Sequence, residues 1–156
     1  MMKIDNKQYK EDIKKEENLW NKTAKDELNK FQPDYKYYQK TMPYKIYRDV
    51  YVKKMLDKIS FGDKVLELGC YNGWFSLEMA RKGAIIDAYD LSSSAISIAK
   101  KYFSQRKRIE KFAGSVNYYK TDLNNPKFLI KKYDKIVIRN VLHHLMVRRT
   151  RNNISK

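Results

Sequence analysis

The chain is short of the residues that would tie it together or anchor it. It holds one cysteine, Cys70, so an intrachain disulfide is excluded and a reducing cytoplasm suits it. No apolar run approaches the roughly 20 residues that a membrane span requires. The polar start Met1-Met2-Lys3-Ile4-Asp5 also lacks the apolar core of a signal peptide. A soluble protein with no membrane partner is expected. Acidic residues are the scarcer charge, 18 against 34 basic, for a formal net charge of +16.

Phosphate-binding loops are missing as well. No G-x-x-x-x-G-K-[ST] segment occurs. The one glycine turn that follows an apolar strand, Val65-Leu66-Glu67-Leu68-Gly69-Cys70-Tyr71-Asn72-Gly73-Trp74-Phe75, has Tyr71 and Trp74 where a dinucleotide fingerprint needs glycine. Those side chains fill the diphosphate bed. The turn therefore points to a ligand with an adenosine but no phosphate. Two acids accompany it: Glu67, two residues before Gly69, and Asp90, at the end of the next apolar run, Ala84-Ile85-Ile86-Asp87-Ala88-Tyr89-Asp90. In an open α/β sheet both would lie at the carboxyl edge of adjacent parallel strands, where ligands bind.

The periodicity predicts one domain. Residues 1 to about 30 form a charged, weakly periodic helical arm, loosely docked, with Trp20, Leu28 and Phe31 as anchors. A tyrosine-rich connector follows, punctuated by Pro33 and Pro43. Tyr44, Tyr47, Tyr51, Val52, Met55, Leu56 and Ile59 line one face of a helix. Beyond the first strand, Asn72 is placed to cap a helix that Gly83 ends, and one of Ser92, Ser93 or Ser94 caps the next. Val116 to Lys120 reads as the third strand, Pro126 to Lys132 as a short helix or turn, and Lys135 to Ile138 as the fourth strand. Right-handed crossovers then give an α/β parallel sheet of about four strands, order 3-2-1-4, with flanking helices.

The segment Glu67-Leu68-Gly69-Cys70-Tyr71-Asn72-Gly73 resembles motif I of class I S-adenosylmethionine-dependent methyltransferases, [DE]-x-G-x-G-x-G, with Tyr71 in place of the middle glycine. Tyr89-Asp90-Leu91-Ser92 is similar to the second motif, and Tyr119-Lys120-Thr121-Asp122-Leu123 to the third. Tyr133-Asp134-Lys135-Ile136-Val137-Ile138-Arg139-Asn140-Val141-Leu142-His143-His144-Leu145 is similar to the fourth. The resemblance covers about residues 44 to 147 and implies a Rossmann-like fold with S-adenosylmethionine as cofactor. It implies roles for Asp90 on the ribose hydroxyls, Glu67 at the methionine amino end, Asp122 on the adenine amine, and Leu91 and Leu123 on the adenine plane. Gly69, Cys70, Tyr71 and Gly73 form the turn beneath the cofactor, Tyr71 and Trp74 line the methionine end, and Asn140 meets cofactor and acceptor. Arg48 or Tyr44 is in line for the cofactor carboxylate.

His143 and His144 are weak candidates for a general base, packing or pocket residues first, and no third ligand stands at metal-binding spacing. A helix N-terminus beside Cys70 would lower its pKa. The family usually adds three further strands after this point. The reading is thus a 1–43 arm and connector, a partial methyltransferase domain over 44–147 and a basic polar tail over 148–156. The fourth strand becomes an apolar edge open to self-association or a complementing chain. Residues 1–60 carry 15 basic and 10 acidic side chains, 61–100 carry 4 and 5, and 101–156 carry 15 and 3, giving +5, −1 and +12. Without a recognised nucleic-acid module, that last excess reads as solvated lysine faces, and nucleic acid is not the favoured partner. The expected activity is in-line methyl transfer to a small-molecule acceptor. The alternative is a non-catalytic or split-protein subunit that binds cofactor weakly and docks nucleic acid or a partner through its basic end.

Overall fold

The computed structural model describes residues 6–28, 47–125 and 131–145. The connector with Pro33, Pro43 and Tyr44, the Pro126–Ile130 stretch and the 148–156 tail lie outside the described residues, as does the side chain of Arg48. Helix α1 is Asn6–Leu28. A π-helical segment, Tyr47–Val52, runs straight into a short α-helix, Lys53–Leu56 (α2). Then come β1 Lys64–Leu68, α3 Trp74–Arg81, β2 Ile85–Asp90, α4 Ser93–Lys107, β3 Ser115–Lys120 and β4 Lys135–Ile138.

All strand pairs are parallel and the order is β3-β2-β1-β4, as expected from the sequence. Central β1 buries Val65, Leu66 and Glu67 because it has a strand on either side and helices on its faces. Phe75, Met79 and Ala80 of α3 pack with Ile86 and Ala88 of β2, Val116 and Tyr118 of β3, and Ile96 and Ala99 of α4 to make the core. Each large apolar side chain buried there is worth about 1.5–3 kcal/mol. Among the described residues β4 has one neighbour, β1, and its Ile136 is 63% exposed. No described helix is long and apolar enough to cross a membrane.

Three local expectations need correction. The N-cap of α3 is Gly73, in the left-handed region at φ 77°, with Asn72 one residue too early; its Oδ1 takes only a long bond, 3.4 Å, from the Trp74 N–H. A Cβ at Gly73 would come within 2.5 Å of the Tyr118 hydroxyl, so close packing as well as φ demands glycine. The helix predicted through Ile59 ends at Leu56, and the wider π turn at its start leaves Tyr51 59% exposed while Val52 is buried.

The third correction concerns α1. Far from loosely docked, it packs along α4. Its Asn21 Oδ1 accepts from the Ser92 hydroxyl at 2.8 Å and from the Ser94 N–H at 3.0 Å, supplying a cap to α4 from another helix. Ser92 itself is the N-cap of α4, its Oγ accepting from the Ala95 N–H at 3.0 Å. Replacing Ser92 with alanine is expected to lower stability by about 1–2 kcal/mol, since it removes the cap and the tie to α1 together. Urea denaturation checks this, and an unchanged midpoint would show that neither bond matters.

Candidate functional site

The site grows from the turn after β1. The Tyr89 carbonyl accepts from the N–H groups of both Gly69 (2.8 Å) and Cys70 (3.1 Å), which clamps the turn to the end of β2. The next residue, Tyr71, has φ 48°, and its N–H donates to Asp90 Oδ2 at 2.8 Å. The backbone thus keeps the left-handed conformation that glycine would give. For a bulky residue this costs on the order of 1–3 kcal/mol, offset in part by the charge-assisted bond to Asp90. Asn140, after β4, is the other described non-glycine residue with positive φ, at 54°. Both line one cavity, and strained backbone of this kind gathers at binding sites.

That cavity, about 240 Å³, opens over the carboxyl edge of the sheet. Gly69, Tyr71, Asp90, Leu91, Asp122, Leu123 and Asn140 all reach its wall. Asp90 Oδ1 also accepts from the Ser92 N–H at 2.9 Å. Desolvation raises its pKa, and N–H bonds from Ser92, Tyr71 and Leu91 oppose the rise. Asp122 Oδ1 accepts from the Asn124 N–H at 2.9 Å, and its other oxygen takes the Tyr9 hydroxyl of α1.

Glu67, Cys70, Gly73 and His143 do not line the cavity. Glu67 is buried, its Oε2 accepting from the Ser76 hydroxyl at 2.5 Å, so it braces the turn from beneath. Burial pushes its pKa up to about 7 against the pull of Ser76 and of the Arg139 charge. Cys70 is sealed in the core, and burial, followed by the charges of Glu67 and Asp90, drives its thiol pKa up, opposite to the helix-terminus expectation. Among the described residues no group of three or more His, Cys, Asp or Glu side chains is set to hold a metal.

Residues that the sequence did not mark as site residues complete the wall: Glu16 and Trp20 from α1, Asn124, Arg139, Val141 and Leu145. Trp20 meets Tyr71 and His144 edge-on, with centroids 5.9 and 5.1 Å away. His144 Nδ1 lies 3.3 Å from Glu16 Oε1. Only a lone tryptophan and an arginine beside Asn140 hinted at these positions.

The model of a methyltransferase domain family matches residues 65–156, more than half of the chain. The chain belongs to this methyltransferase domain family. The domain is 31% identical over 90 residues to a ubiquinone biosynthesis O-methyltransferase of Actinobacillus pleuropneumoniae, a match covering 54% of this chain and 36% of that protein. It is 44% identical over 59 residues to the mitochondrial enzyme of the same name from Schizosaccharomyces pombe, covering 35% and 22%. The chain therefore spans well under half the length of these curated relatives. In fold, the domain is similar to magnesium protoporphyrin IX methyltransferase from Synechocystis PCC 6803, solved with bound S-adenosylmethionine. The TM-score is 0.66 at 19% identity, over 99% of this chain and 71% of that one. The four-stranded sheet of the methyltransferase domain is that of the class I fold.

Proposed function

We propose that the domain binds S-adenosylmethionine across the carboxyl edge of its sheet and takes part in methyl transfer to a small-molecule acceptor. One observation carries this reading: Asp90 and Asp122, ending and following adjacent strands, share a cavity with a glycine turn and with no phosphate cradle. Asp90 offers acceptors to the two ribose hydroxyls, and Asp122 to the adenine amine. Leu91 and Leu123 supply apolar surface for the base, and Gly69 lines the cavity with Val141 packed so closely on it that a Cβ would strike Val141 at 2.7 Å.

When bound, the cofactor supplies an electrophilic methyl on a sulfonium, and the protein's part is alignment and exclusion of water. Trp20 and Tyr71 wall the cavity on the side of α1. His144, beside Glu16, is the cavity group suited to take a proton from an acceptor hydroxyl. The names of the curated relatives, O-methyltransferases, support oxygen as the acceptor atom. Among the described residues β4 pairs with β1 alone, and that open edge supports a further strand pairing there.

Titration calorimetry with S-adenosylmethionine and S-adenosylhomocysteine tests the cofactor assignment. Saturable heat is expected from both, and no heat at millimolar ligand would overturn it.

A further inference from the structure

Helix α4 carries a stripe that the ligand cavity does not use. Lys100, Phe103, Ser104, Lys107 and Arg108 recur at i, i+3, i+4, i+7 and i+8, so they share one helix face, and that face is a wall of an open groove of about 610 Å³ beside β3. The groove has no residue in common with the cavity over the carboxyl edge. Its cations are Lys100, Lys107 and Arg108, and no acidic side chain lines it. Several other cations of the domain are paired: Arg81 with Glu110, Lys120 with Glu17, Lys131 with Asp87 and Lys135 with Asp63. Among the described residues Lys100, Lys107 and Arg108 have no such carboxylate partner.

The opposite wall is the edge of the sheet. Among the described residues β3 pairs with β2 alone. The Ser115 N–H donates to the Ala84 carbonyl at 3.0 Å and the Thr121 N–H to that of Asp90 at 2.8 Å, so the odd-numbered residues of β3 turn their backbone groups toward β2. Alternate residues of a parallel strand face opposite ways, which directs the N–H and C=O groups of Val116, Tyr118 and Lys120 outward. Such an edge matches a partner that offers donors and acceptors in turn at strand spacing. A peptide backbone does so, whereas a phosphodiester chain offers acceptors alone.

The charges decide which peptide. A second copy paired through its own β3 brings two identical rows of cations together, and their repulsion opposes self-assembly at this edge. Acids reverse the sign. Along α4, Lys100 and Lys107 stand about 10 Å apart, while side chains four residues apart on one face of an extended chain stand about 13 Å apart. We propose that this groove docks an extended acidic segment of a partner protein, added to the sheet as a strand beside β3. Its carboxylates, four residues apart, face Lys100 and the Lys107–Arg108 pair, and an apolar side chain midway between them meets the half-buried Phe103. The inference is independent of the cofactor assignment.

The probe is a blocked, dye-labelled peptide with glutamates four residues apart, leucine midway and valine or threonine elsewhere, titrated by fluorescence anisotropy into the full chain at low salt. The parent is expected to bind it at least about 10-fold more tightly than a copy with lysine for glutamate. N-methylation of every second amide, tried in both phases, should weaken binding at least about 10-fold in one phase, because an added strand pairs along one edge. Lys100→Glu with Lys107→Glu, both at exposed positions, should turn the preference toward the lysine peptide. An unreversed preference in that variant overturns the proposal; should it fail to fold, an undiminished preference in Lys100→Gln with Lys107→Gln does the same. Indifference to N-methylation in both phases would mean attraction of charges without a strand. No binding at millimolar peptide would leave the cations as guards of a bare edge, and displacement of the peptide by oligothymidylate of equal or higher affinity would make the groove a nucleic-acid surface. Each of these three results also overturns the proposal.

Discussion

Replacing Glu67 with glutamine is expected to flatten the fall in stability of this domain between pH 4.5 and 7. Glu67 is fully buried beneath the glycine turn, and burial pushes its pKa from 4.5 in the unfolded chain up to about 7 in the folded one. Below pH 4.5 both states hold the proton, and this residue adds no slope. Between the two values the folded chain keeps a proton that the unfolded chain has released, so rising pH favours unfolding by about 1.4 kcal/mol per unit. The full loss is on the order of 3 kcal/mol by neutral pH, equivalent to about 6–12 °C in melting temperature for a chain of this size. Glutamine keeps the shape and an acceptor for Ser76 but does not titrate. Thermal melts of parent and Glu67→Gln at pH 5 and 7.5 supply the check. Parallel slopes would mean that the buried carboxyl is ionised throughout.

Asp90→Ala should weaken S-adenosylmethionine binding by about 1–3 kcal/mol, a factor of roughly 5 to 150, because a carboxylate positioned for two hydroxyls makes charge-assisted bonds that alanine lacks. The residue has a second task. It accepts from the Tyr71 and Ser92 N–H groups and so holds the strained turn. Asp90→Asn separates the two: its remaining oxygen still accepts from one of these N–H groups, while the charge is gone. Calorimetry on both variants beside their melting curves checks this. Unchanged affinity in Asp90→Ala would remove Asp90 from the ligand site and leave it a turn residue.

The β-turn-α unit was legible because its signals are local. The apolar run of β1, the glycines at 69 and 73 and the serines before α4 lie within a few residues of what they control. The direction of Glu67 was not legible, since in a parallel strand covered on both faces the neighbours are apolar either way and say nothing of which side the acid takes. Its partner, Ser76, stands on the following helix. The position of α1 was equally hidden: Asn21 reaches Ser92 across 71 residues and Tyr9 reaches Asp122 across 113, and neither pairing leaves a pattern in a charged helix. Arg139 stood in plain view beside Asn140, but the rings it stacks on, Trp74 and Phe75, lie at the start of α3, far away in the sequence.

The hydroxyl of Tyr9 in α1 already donates to the Asp122 carboxylate, whose other oxygen accepts from Asn124. Under the cofactor assignment proposed above, a nucleoside amine reaching Asp122 meets an acceptor in use and has to exchange with Tyr9, which would make α1 a competitor as well as a wall.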